Sequence, residues 1–156
     1  MEAHATHAHE EQSLNRLSVS ATLHCMTGCV IGEVLGLVIS NALGWSVMPS
    51  LVLAIALAFF FGYLLTSIPL FRANLALGAI IPIVLATDTF SITVMEIIEN
   101  LTMLLFPGAM DAALDELLFW GPMALGFAIA FPFVFLVNRA LLRRGKGHAL
   151  VHDFHH

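Results

Sequence analysis

Two cysteines and a glutamate stand four residues apart in an apolar stretch: Cys25, Cys29 and Glu33, within Leu23-His24-Cys25-Met26-Thr27-Gly28-Cys29-Val30-Ile31-Gly32-Glu33. At about 100° per residue of α-helix they form one narrow stripe, which Ser40 continues. Sulfur ligands select Cu(I) or Zn(II) over magnesium and calcium. Two thiols at i and i+4 point the same way and can share one ion, with Glu33 adding charge and His24 a ligand if the helix distorts. A disulfide between them is awkward: a Cα separation of about 6 Å is permitted, but helix geometry constrains the torsion. The structural alternative is a pair of small buried hydrophobes. Glu33 weighs against it, because a carboxylate inside so apolar a segment usually marks a pathway, a partner or a proton site.

A second stripe lies further along. Asp88, Ser91, Met95, Glu99 and Thr102 repeat at helical spacing and share a face, with Glu96 to one side. Asp88 falls well inside the apolar run. Glu96 and Glu99 come near its end, where solvation at an interface accounts for them. Met95, Met103 and Met123 could add soft thioether ligands along a path.

Some element must hold these groups, and composition says which. Charged residues are 11% of the 156, hydrophobic residues 59%, and the mean hydropathy is +0.91. Ordinary soluble domains carry about a quarter charged residues. So little polar surface cannot cover a chain this small in water. Lipid resolves the conflict. A spanning helix needs about 20 largely apolar residues, and four segments qualify: about 19–43, 50–71, 73–106 and 117–142. The expected fold is all-α, an integral membrane four-helix bundle over 18–142. A His-rich tail (1–17) precedes it and a basic, His-rich tail (143–156) follows.

The breaks fit this division. Gly44-Trp45 with Pro49 makes a short turn, and Trp45 suits an interface. Pro69 and Arg72 mark a tight reversal. Pro107-Gly108 with Asp111, Asp115 and Glu116 forms the longest and most acidic loop. Pro82, Pro122 and Pro132 fall inside spans, where membrane helices tolerate them. The six basic residues are Arg16, Arg72, Arg139, Arg143, Arg144 and Lys146, all on one side of such a bundle. The positive-inside rule places both termini in the cytoplasm, N-in and C-in, in the inner (plasma) membrane.

Depth then suggests a cluster. The first and third helices run the same way. Counted from Ser18 and Asn74, Glu33 and Asp88 both lie roughly 21–23 Å inward. Met123 falls near that level on the opposed fourth helix, with Cys29 about a turn away. Cys25, Cys29, Glu33, Asp88, His24 and Met123 are therefore the expected metal ligands. Two adjacent carboxylates would share a proton unless a cation lay between them. The structural alternative is a protonated Asp–Glu pair that glues helices together.

Two further patterns bear on this. Gly28, Gly32 and Gly36 form a small-residue ridge that lets helix backbones approach closely. His4, His7 and His9 open the chain, and His148, His152, His155 and His156 close it. Imidazole suits zinc and copper. His148 and His152, at i and i+4, are secondary metal candidates, against the alternative of solvated tails.

The sequence His24-Cys25-Met26-Thr27-Gly28-Cys29 with Gly32-Glu33, followed by Arg144-Gly145-Lys146-Gly147-His148-Ala149, resembles the bacterial domain-of-unknown-function 4396 family. The likeness runs from about His24 to His152. It implies a small multi-helix membrane protein of prokaryotes and no established activity.

The functional expectation is a membrane protein that binds and transports Cu(I) or Zn(II) through an intramembrane Cys/carboxylate site. Its expected partners are the lipid bilayer, the ion, and a homo-oligomer or membrane-complex partner. The alternatives are a thiol-redox or quinone-linked protein using Cys25 and Cys29, or a non-catalytic assembly subunit. Hydrolytic catalysis has no support: there is no nucleophile elbow, phosphate loop or zinc-protease motif. Nucleic acid is an unsuited partner for a chain of net charge −5 without a basic patch. An acidic opening segment and two cysteines within one apolar stretch fit neither a secretory signal nor a disulfide framework.

Overall fold

A computed structural model of the chain describes residues 2–72, 74 and 76–143. Helix α1 spans Glu2–Leu43, α2 Val47–Arg72, α3 Leu77–Leu105 and α4 Leu117–Arg143, with a short 3-10 turn over Ala109–Asp111 before α4. No strand occurs among the described residues. All four helices are long and apolar enough to cross a membrane, over Ala8–Leu43, Val47–Ile68, Ile80–Leu105 and Leu117–Arg143. Their outer faces expose large apolar side chains such as Val52, Phe60, Leu101 and Phe133. Water would not tolerate so continuous an apolar exterior.

Local chemistry sets the ends. Helix α1 stops in a Schellman arrangement: Gly44 adopts φ 66°, its N–H donates to the Asn41 carbonyl, and the Trp45 N–H donates to Ser40. Pro49 falls in the first turn of α2, where a missing N–H costs nothing. Helix α3 ends before Pro107-Gly108, with Gly108 at φ 84°.

One boundary differs sharply from the sequence expectation. The segment read as a tail over 1–17 continues as α1 back to Glu2, through His4, His7 and His9. Hydropathy marks where apolar surface ends, not where helix ends. Ala3, Ala5, Ala8, Glu10, Glu11, Gln12 and Leu14 are strong helix formers, with no Gly or Pro among them. The other tail, 143–156 with His148 and His152, lies outside the described residues apart from Arg143, which ends α4.

Glycine brings α1 and α2 into backbone contact. A Cβ at Gly28 would stand 2.6 Å from Gly62 Cα, one at Gly32 2.2 Å from the Ala58 nitrogen, and one at Gly36 2.6 Å from Ala54 Cα. Partner numbers fall as these rise, so the two helices are antiparallel. Helix α4 meets α3 the same way: a Cβ at Gly126 would come within 3.1 Å of Glu99 Cα, while Asn138 bonds Ser91. The up-down-up-down order leaves α1 and α3 parallel and able to face their polar stripes together.

Candidate functional site

The polar stripe of α1 meets that of α3 in the bundle interior. Glu33 is 5% exposed, Glu96 5% and Glu99 2%. The Glu33 carboxyl faces those of both Glu96 and Glu99. Carboxylates only accept hydrogen bonds, so none of the three can satisfy another without an added proton or cation. Neither Glu33 oxygen has a donor, and Glu96 Oε1 also lacks one. The nearest relief is Asn100, whose Nδ2 donates to the Glu96 carbonyl at 2.8 Å and reaches Glu96 Oε2 at 3.4 Å.

Cys29 lies beside Glu96, and Cys25 beside Cys29. Both are buried free thiols. Met95, Met103, Met123 and Phe127 pack around them in the apolar core. Sulfur and carboxylate donors from α1 and α3 therefore occupy one neighbourhood. Among the described residues, however, no three His, Cys, Asp or Glu side chains form a ready-made metal-ion site.

From this cluster a cavity of about 180 Å³ leads toward the α1–α2 turn and the loop before α4. Glu33 and Glu99 sit at its inner end, Ser40, Asn41 and Asn100 along it, and Trp45 and Asp111 at its exposed end. Met103 and Met123 also line it. The space accommodates several waters, and polar walls favour them.

Toward the other end the interior is closed by a satisfied network. Ser91 Oγ donates to Asn138 Oδ1, Asn138 Nδ2 donates to Thr22 Oγ1 at 3.0 Å, and Thr22 donates to the Ser18 carbonyl at 2.8 Å. The three side chains are buried and tie α1, α3 and α4 together.

The structure regroups the residues singled out from the sequence. Glu33, Cys29, Cys25 and Met123 share the interior around the cluster, but Asp88 does not join Glu33. Asp88 lies 11 residues before Glu99 on α3, roughly 16 Å along the axis. Its neighbours are Thr87, whose hydroxyl donates to Oδ1 at 3.1 Å, together with Thr66 and His24. His24 is exposed, and its Nδ1 donates to the Ser20 carbonyl at 2.7 Å. The depth count failed at its origin, since α1 continues well before Ser18 and α3 begins after Asn74.

Glu96 and Glu99, read as solvated interfacial groups, are buried facing Glu33. The stripe from Asp88 to Thr102 was the signal for this. Asn138 was overlooked, although a lone amide inside apolar α4 had no surface reason to be there.

The family model described as domain of unknown function (DUF4396) matches residues 15–147. No curated protein and no solved structure matches the chain. The matched region holds the Cys25–Cys29–Glu33 stripe, the whole of α2 and α3, and all of α4; the chain belongs to the domain-of-unknown-function 4396 family.

Proposed function

We propose that this chain is a multi-pass inner-membrane protein, both termini cytoplasmic, that exchanges protons for a transition-metal cation at Glu33, Glu96, Glu99 and Cys29. The observation that carries this reading is Glu33: a buried carboxyl with no donor for either oxygen, facing two more carboxyls at the inner end of a cavity. Such a group is expensive unless a proton or a cation completes it. Protons do so in the resting protein, bridging carboxyl to carboxyl. A cation entering the cavity displaces them: each O–H loses its proton to water, and the oxygen turns to the ion. Zn(II) replaces two protons, or Cu(I) one, without change in net charge.

The donor set decides the cargo class. Three carboxylates with a thiol fit Zn(II), while thiols with the thioethers of Met103 and Met123 fit Cu(I). Neither suits magnesium, which keeps its waters and prefers oxygen alone. The orientation rests on Arg16, Arg72, Arg139 and Arg143 gathering at the end opposite the cavity mouth, where Asp111 lies.

The experiment is metal stoichiometry in detergent after anaerobic loading with Zn(II) or Cu(I), for the parent, Glu33→Gln and Cys29→Ser. The expected result is about one ion per chain in the parent and loss in Glu33→Gln, with thermal unfolding showing both folded. An unloaded parent, or full stoichiometry in Glu33→Gln, overturns the reading and leaves the carboxyls as helix glue in an assembly subunit.

A further inference from the structure

The cavity that opens onto the Glu33 cluster has two chemically different walls. One is polar, made by Ser40 and Asn41 of α1 and Asn100 of α3. The other is sulfur: Met103 of α3, Met110 of the 3-10 turn and Met123 of α4. Methionine often fills irregular gaps in an apolar core, where its flexibility helps. A void lined on its other side by hydroxyl and amide is no such gap, because it suits water.

Register sets the three thioethers in order. Met103 follows Glu99 by four residues, so it shares that face of α3 and stands roughly 6 Å nearer the mouth. Helix α4 runs antiparallel to α3 and packs Gly126 on Glu99. Met123 precedes Gly126 by three residues, which puts it roughly 4.5 Å nearer the same mouth. Both methionines are buried. Met110 is half-buried beyond them, and its position is built into the turn. Gly108 reverses the chain at φ 84°, and the Ala109 and Asp111 N–H groups donate to the carbonyls of Phe106 and Gly108. Ala109 is fully buried and anchors the turn in the interior.

The donors along this passage separate the two candidate ions. Between Asp111 at the mouth and Glu33 and Glu99 at the inner end, no carboxylate, imidazole or thiol among the described residues lines the cavity. Zinc is held by those three donor types. Thioether is a soft, uncharged ligand that suits Cu(I). A dication on this path meets neither charge nor a ligand of its own kind, whereas a soft monovalent ion passes from sulfur to sulfur.

We propose that Met110, Met103 and Met123 form a thioether relay that makes Cu(I), rather than Zn(II), the cation exchanged at the Glu33 cluster. This inference rests on the exchange proposed for that cluster and narrows it to one ion. Met110 meets the ion at the mouth, and Met103 and Met123 hold it between two helices. The ion then reaches Cys29 and a Glu carboxyl, which gives up one proton to water. Copper stays Cu(I) throughout, one positive charge replaces another, and no redox partner is consumed.

The test uses full-length protein carrying selenomethionine, loaded anaerobically in detergent with Cu(I) and, separately, with Zn(II). X-ray absorption at the copper edge reports whether selenium lies in the first shell. The parent is expected to hold about one Cu(I) with selenium bound to it. The double variant Met103→Leu/Met123→Leu keeps the apolar volume and is expected to lose the selenium signal and bind Cu(I) at least about tenfold more weakly. Thermal unfolding checks that it is folded. Met110→Leu is expected to reach parental stoichiometry but to load Ag(I), a redox-inert stand-in, at least about tenfold more slowly. Copper bound without selenium neighbours, undiminished Cu(I) affinity in the folded double variant, or a parent that takes Zn(II) but not Cu(I) removes this inference and leaves the Glu33 reading standing. Loading of Met110→Leu at the parental rate overturns the role of Met110 at the mouth. A parent that binds neither ion removes both readings together.

Discussion

Two buried polar groups in this bundle obey opposite rules. At Thr22, Asn138 and Ser91, donors and acceptors are matched across three helices. At Glu33, Glu96 and Glu99, acceptors crowd together with almost no donors. Both sit in the same bundle interior, two to three turns apart along α1 and α3. A satisfied network in an apolar interior fixes helix positions and asks for nothing more. An unsatisfied one stays costly until something joins it. The first is therefore assigned to holding the bundle together, the second to binding.

Substitutions can break that contrast. The largest effect is expected from Glu33→Gln on cation binding, a weakening of roughly 100-fold or more, since even outer-shell changes at metal sites cost up to that much. The same variant should unfold no more easily than the parent. Gln offers two N–H donors to Glu96 and Glu99, which would raise stability by about 1 kcal/mol. Equilibrium dialysis and thermal unfolding in detergent read the two effects separately. A destabilised variant with normal binding would reverse the roles of the two regions.

Asn138→Ala should show the mirror image. Removing the amide leaves Ser91 and Thr22 without their shared partner, at a cost of about 1–3 kcal/mol in unfolding free energy. Metal affinity should change little in the fraction that remains folded. Strong loss of binding at unchanged stability would place Asn138 in the cation path.

Gly36→Ala sharpens the comparison by testing the scaffold both regions share. The added methyl meets the Ala54 backbone at 2.6 Å, so α1 and α2 must separate slightly. A loss of about 1–3 kcal/mol is expected, as for other overpacked interiors. Binding should be perturbed only as far as Glu33 is displaced. The smallest effect belongs to Ser40→Ala. Ser40 Oγ is buried without a partner beside the cavity, so its removal should raise stability slightly, by about 0.5 kcal/mol.

Much of the architecture was legible because lipid-sized apolar runs and small-residue spacing are local signals. The four helices follow from hydropathy, and the close approach at Gly28, Gly32 and Gly36 follows from residue size. Cys25, Cys29 and Glu33 share a face because helix periodicity requires it. What sequence could not supply was register between helices. Counting depth from Ser18 and Asn74 set Glu33 against Asp88, whereas tertiary packing sets it against Glu96 and Glu99. The error is two to three turns, and it came from equating the edge of an apolar run with the edge of a helix. The Asn138 network was illegible for a related reason: its three members are far apart in sequence, and only packing unites them.

The most direct measurement is proton release on metal addition to weakly buffered, detergent-solubilised protein, followed alongside metal uptake. If the three carboxyls are completed by protons that a cation replaces, uptake in the parent should release about two protons per Zn(II), or one per Cu(I), saturating near one ion per chain. Glu33→Gln should release few or none. Metal uptake without proton release, or equal release from both proteins, would contradict the assignment of Glu33, Glu96 and Glu99 as the exchange site.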